Sequence, residues 1–129
     1  MKRSVLALWG PFLAALGVIF WLSSLSDIPA ARHVWDKLLH VVGYAGLGVL
    51  ALRAFHGGLE RPRPAPTALA GIAVVLWGIS DEIHQHFVPG RDASGLDVLA
   101  DAIGFLVGVA ATAAWVAWRE ASVRLKALP

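Results

Sequence analysis

Asp81 and Glu82 stand side by side at the end of an apolar run, in the stretch "WGISDEIHQHFVPGRDASGLDVLADAIG". Adjacent carboxylates can act as acid or base, bind a cation, or hold a polar head group, depending on what faces them. On a helix, Asp81, His84 and Gln85 share a face by i, i+3, i+4 spacing, and so do Glu82, Gln85 and His86. His84 and His86 are two apart and point to different sides, so together they make no chelate. Further on, Asp97, Asp101, Gly104 and Gly108 form one continuous stripe. Gly-x-x-x-Gly permits close helix approach, so the stripe faces a neighbouring helix and takes both carboxylates inward. Upstream, Asp36, His40 and Tyr44 repeat every fourth residue, with Lys37 three before His40. Arg91 follows a Pro-Gly turn, and its fork of donors suits a carboxylate or phosphate; equally it could neutralise Glu82.

Each of these groups has a plainer reading. Asp81 and Glu82 could be a structural pair satisfied by Lys37 or Arg91. "SGLD" fits a cap in which Ser94 starts a helix and Asp97 sits in its first turn; Asp101 has no such role. His40 could be a hydrogen-bonded packing residue. Asp81-x-x-His84 has the spacing of carboxylate-bridged metal sites, but a single copy is a weak signal. His-Glu-x-x-His, a Gly-rich phosphate loop and a nucleophile elbow are all missing.

The elements that carry these residues are read from hydropathy. The chain has 129 residues, the length of one domain. Hydrophobic residues make up 57% and charged ones 16%, with a mean hydropathy of +0.66. Soluble domains carry about 25% charged residues, so the composition is that of a membrane protein. Four apolar runs, at about 5–25, 34–55, 67–87 and 96–118, each approach the roughly 20 residues that cross a bilayer as a helix. The expected fold is therefore all-α, a four-helix membrane bundle. Trp9, Trp21, Trp35, Trp115 and Trp118 fall near run ends, where an aromatic belt belongs. The first run could be a secretory signal core, but it is longer than the roughly 7–15 residues of one, and a retained helix is expected. With no Cys there is neither a disulfide framework nor a thiolate metal site. A net charge of +2 without a basic stripe gives no case for nucleic acid.

Four spans put both termini and the middle connection on one side. Lys2, Arg3, Arg53, Arg61, Arg63, Arg119, Arg124 and Lys126 lie there, against Arg32, Lys37 and Arg91 on the other. The positive-inside rule makes the termini cytoplasmic, in what would be a bacterial plasma membrane. "HGGLERPRPAPT" reads as an irregular linker on that side. Acidic residues partition the opposite way, with Asp27, Asp36, Asp81, Glu82, Asp92, Asp97 and Asp101 all at the outer end. At 5.4 Å per turn, His40, Tyr44, Asp81, Glu82 and Asp101 come to a similar depth from three different helices. Ionisable groups inside the membrane boundary cost roughly 2.5–3.5 kcal/mol at mid-helix on insertion scales, so their convergence predicts an outward polar pocket.

"DKLLHVVGYAGLG", "DEIHQHFVPGR" and "DVLADAIGFLVG", in that order and spacing, resemble the VanZ-like family over roughly residues 20 to 110. Lys37, His40, Tyr44, Asp81, Glu82, Gln85, Pro89, Arg91, Asp97 and Gly104 sit on that family's marked positions; His84 and His86 do not. At Asp101 the family more often has Asn, and the acid adds a charge to the pocket. The family is named for a protein associated with low-level teicoplanin resistance, and it implies no established reaction. The resemblance therefore implies a role in the cell envelope in glycopeptide resistance.

The ligand-binding set expected from spacing and resemblance together is Lys37, His40, Tyr44, Asp81, Glu82, Gln85, Arg91, Asp97 and Asp101. Lys37 and Arg91 would hold an anionic group, with membrane lipids, a lipid-linked cell-wall precursor or the glycopeptide itself as partners. The alternative is an enzyme, a hydrolase or transferase acting on a lipid head group, with catalytic candidates Asp81, Glu82 and His40. No cofactor is evident, but carboxylates with His40 are compatible with a divalent metal: oxygen-rich ligation suits Mg or Mn, and the imidazole leaves Zn open. A proton-linked transporter fits less well, because the acids gather at one end and provide no path across.

Overall fold

The computed structural model describes residues 4–26 and 34–126, with side chains described from residue 36 in the second segment. Lys2, Arg3, Asp27, Arg32 and the side chain of Trp35, all used in reading the topology, lie outside the described residues. Four helices follow one another: α1 (Val5–Ser23), α2 (Val34–His56), α3 (Pro64–Gln85) and α4 (Gly95–Lys126). All four are long and apolar enough to cross a membrane.

Their ends follow local chemistry more closely than hydropathy does. The Ser4 hydroxyl accepts from the Ala7 N–H and starts α1. α3 begins three residues before the apolar run, because Pro64 at the first helical position has no N–H to leave unpaired. The irregular linker is thus shorter than the sequence predicts. It is held by His56, whose Nδ1 donates to the Leu52 carbonyl (3.0 Å) while Nε2 accepts from the Arg63 N–H (3.0 Å). Gly57 at the end of α2 and Gly90 after α3 take positive φ, +76° and +82°, where a side chain would be strained. α4 runs eight residues past the expected end at 118, through "REASVRLK". Hydropathy falls there, but no residue breaks the helix. At 32 residues α4 is about 48 Å long, well beyond a roughly 30 Å hydrocarbon layer. Its emerging turn carries Arg119 stacked on Trp115, 5.1 Å from the ring centroid.

Helices consecutive in the chain run antiparallel, so α1 parallels α3 and α2 parallels α4. The outward surface is apolar, with Leu6, Ile72, Leu106 and Trp118 all largely exposed. This is the arrangement lipid requires: hydrocarbon on the outside, small and polar residues within. The tightest seam joins α2 to α4. A Cβ on Gly104 would lie 2.6 Å from the Val41 carbonyl oxygen, and one on Gly108 would lie 2.6 Å from that of Ala45. Backbone therefore packs directly on backbone. At mid-height Phe105 projects from this seam into the space that Gly48 and Gly71 leave open. Toward the chain termini Trp9, Phe12 and Phe55 form an aromatic cluster with ring centroids 4.9–6.4 Å apart. α1 is the least embedded element, with Phe12 and Ser23 its only buried residues. At the opposite end the polar residues meet.

Candidate functional site

The polar end is assembled by pairing helix against helix. Asp101, on the inner stripe of α4, accepts from Nδ1 of His40 on α2 at 2.8 Å. One turn nearer the surface, Lys37 pairs with the buried Asp97 and lies 4.0 Å from Asp36. Because α2 and α4 are parallel, residues 37 and 40 match residues 97 and 101 in register. Tyr44, one turn below His40, lies nearly parallel to its ring (17°, centroids 6.3 Å apart). Tyr44 is 3% exposed, and its hydroxyl has no hydrogen-bond partner among the described residues.

On α3, the i, i+4 relation acts as the spacing predicts: Gln85 donates to Oδ2 of Asp81 at 3.0 Å. Oδ1 of Asp81 takes a 2.6 Å hydrogen bond from Ser23 at the end of α1. Both Asp81 oxygens are thereby engaged. Glu82 turns the other way, toward the start of α4, where its Oε2 accepts from the Ser94 N–H at 2.7 Å. Among the described residues neither Lys37 nor Arg91 pairs with Asp81 or Glu82, so the plainer reading of an ion pair does not hold there, and hydroxyl, amide and backbone donors take its place. Ser94 does cap α4, its hydroxyl accepting from the Leu96 N–H. Asp97 follows in the first turn, but it is buried against Lys37.

A cavity of about 420 Å³ opens beside this network, between α1, α2 and α3. Its polar wall is Ser23, Asp36, His40, Tyr44, Asp81, Gln85 and Arg91; its apolar wall is Ile19, Leu22, Leu39, Val42 and Gly43. The predicted residues thus separate into two layers. His40, Tyr44, Asp81, Gln85 and Arg91 line the space, whereas Lys37, Glu82, Asp97 and Asp101 stand behind it. Among the described residues, Oε1 of Glu82, Oδ2 of Asp101 and Nε of Arg91 are buried without a hydrogen-bond partner, a condition few native polar atoms tolerate. A larger apolar groove of about 710 Å³ runs along α3 at the other end, near Arg63, Ile72 and Phe105, and holds none of the predicted residues.

Two participants went unseen in the sequence. Ser23 reads as a helix-end serine, yet it ties α1 to Asp81. Gly78 reads as a spacer, yet a Cβ there would lie 2.5 Å from Oδ2 of Asp101. Conversely, His84 packs flat on Phe20 (4.4 Å) with its Nε2 3.0 Å from the Ser24 hydroxyl, and His86 is exposed beside Phe87. Neither faces the cavity.

No curated protein and no solved structure matches the chain. The VanZ/LLP1 family model covers residues 5–117, from the start of α1 to the membrane-exit region of α4 and through every element that builds the polar end. This multi-pass membrane protein belongs to the VanZ/LLP1 family.

Proposed function

We propose that the polar end faces outward from the bacterial plasma membrane, and that the cavity there receives the head group of a membrane-anchored amphiphile, a lipid or a lipid-linked cell-wall precursor. The observation that carries this reading is the cavity's divided lining. Arg91 and Gln85 offer donors, and the Tyr44 hydroxyl offers a buried polar atom without a partner among the described residues. Ile19, Leu22, Leu39 and Val42 form a wall continuous with the lipid-facing surface. A water-soluble solute has no use for that wall, whereas an acyl or prenyl chain does. The excess of basic residues at the other end supports the orientation. Engagement of a precursor at the outer leaflet is a route to protection against teicoplanin, a membrane-anchored glycopeptide.

The test is teicoplanin and vancomycin susceptibility of a sensitive Gram-positive host expressing the chain, beside Arg91→Ala and Tyr44→Phe variants matched for membrane level. Selective protection against teicoplanin that both variants lose supports the reading. A well-inserted wild type that protects against neither drug refutes the resistance role.

A second reading, a hydrolase or transferase acting on the same head group, is favoured by one geometry. The His40–Asp101 pair fixes Nδ1 as the donor and leaves Nε2 as the ring's free base on a residue of the cavity wall. Asp81, with both oxygens engaged, suits holding and orienting better than proton transfer. Glu82 lies outside the lining. Release of a phosphorylated head group from labelled phospholipid, lost in His40→Gln, would decide for this reading.

A further inference from the structure

At the surface edge of the polar end, Asp36 and His40 on α2 and Asp97 on α4 each offer one ligand atom, and these atoms all lie within 4.8 Å of one another. Asp36 and His40 are one helical turn apart and face the same way; Asp97 meets them from the parallel helix. Metal–oxygen and metal–nitrogen bonds of about 2.0–2.2 Å place ligand atoms roughly 3–4 Å apart. The trio therefore needs less than a side-chain rotation to close, and Asp36, only partly buried, is free to supply it.

Three further features point to a cation. The Asp101 carboxylate holds Nδ1 of His40, so a cation would be taken by Nε2 after a small turn of the ring. A carboxylate behind an imidazole is the arrangement that orients and strengthens metal-binding histidines. Glu82, 6% exposed, has an oxygen with no hydrogen-bond partner among the described residues, and its other oxygen binds the Ser94 N–H at the start of the helix that carries Asp97. Finally, a positive charge already stands here: the Lys37 ammonium pairs with Asp97 and lies 4.0 Å from Asp36. Lys37 is anchored on the same helix and 40% exposed, so it can swing toward water without moving the backbone.

We propose that Asp36, His40 and Asp97 form a divalent first-row cation site, with Asp101 orienting His40 and the Lys37 ammonium competing for the same carboxylates. A bound cation would bridge α2 to α4 at the rim of the cavity, since Asp36 and His40 also line it. The cation site does not rest on the head-group reading; with a cation bound, Nε2 of His40 would be a ligand and no longer the free base of the hydrolase reading.

Lys37 makes the test specific. Purified full-length protein in detergent is titrated with Mn²⁺, followed by loss of the free-ion paramagnetic resonance signal, and the bound ion is displaced with Zn²⁺. One saturable site is expected, with Asp97→Asn weakening it at least about tenfold. Lys37→Gln is expected to tighten it by about tenfold, by removing the competing charge. An adventitious surface site would respond in neither way. Should Asp97→Asn fail to fold, Asp36→Asn replaces it, because that residue is less buried and is tied to no second helix. Absence of saturable Mn²⁺ binding displaced by Zn²⁺, or Lys37→Gln binding no tighter than wild type, would overturn the proposal. Neither result bears on teicoplanin protection, so the two readings fail separately.

Discussion

Gly78 gives Asp101 its place. A Cβ at position 78 would lie 2.5 Å from Oδ2 of Asp101 and 3.4 Å from its carboxyl carbon. The carboxylate cannot retreat freely, because its other oxygen is held by His40. Gly78→Ala should therefore push Asp101 off His40 although it touches neither the cavity wall nor the seam. Overpacking of this kind costs roughly 1–3 kcal/mol. Combined with Asp101→Ala, the two costs should be clearly less than additive, because the second change removes the atom the first one strikes. Unfolding in mixed micelles measures both, and strict additivity would refute the contact.

The α2–α4 seam should be less forgiving. Gly104→Ala and Gly108→Ala place a methyl group against main-chain carbonyls that no rotamer change can move. Each should destabilise the protein at the upper end of the overpacking range, about 3 kcal/mol or more. Gly17→Ala and Gly46→Ala, with open space at the Cβ, should be neutral or slightly stabilising in the same assay.

Ser23→Ala removes the hydroxyl that joins α1 to Asp81 and leaves a buried carboxylate oxygen without its donor. The expected loss is roughly 1–3 kcal/mol. Its distinguishing sign is faster hydrogen exchange confined to the last turn of α1, with α4 unchanged. Uniform change across all four helices would mean that Ser23 acts by packing alone.

Much of this arrangement is legible in the sequence. Depth along each helix follows from counting residues, so the convergence of His40, Asp81, Asp97 and Asp101 on one end needed only hydropathy and a rise per residue. Rotation follows from spacing, so the inward turn of Asp101 could be taken from the glycines on its stripe. Which side chain meets which across a gap depends on interhelical distance, and sequence carries almost none of that. Lys37 found Asp97 in preference to Asp81 or Glu82 because α2 packs far closer to α4 than hydropathy alone reveals. Ser23 stayed hidden for a different reason: a hydroxyl at the end of an apolar run usually bonds its own backbone, and this one also contacts the Phe20 carbonyl oxygen. The far end of α4 was missed because hydropathy marks where lipid stops, and a helix may continue beyond it.

His56 should matter to the connection between α2 and α3 through both ring nitrogens. His56→Phe keeps the bulk but removes the acceptor for the Arg63 N–H. A loss of about 1–2 kcal/mol is expected, together with faster proteolysis within residues 57–63. The Arg61–Glu120 ion pair, at 2.6 Å but exposed, makes the control: Glu120→Gln should leave both readouts unchanged.

The contrast between the fused α2–α4 seam and the sparsely embedded α1 has a consequence for traffic. Near the polar end α1 is held to α3 by the short hydrogen bond from the buried Ser23 to Asp81 and by the contacts of Ser24 and Phe20 with His84, while its other end rests on the aromatic cluster of Trp9, Phe12 and Phe55. The cavity lies just behind that fastening. α1 is thus the helix whose displacement would disturb the bundle's frame least, since the α2–α4 seam does not depend on it. An amphiphile of the kind proposed above would meet that helix first on its way in from the bilayer, and its tail would not have to leave hydrocarbon.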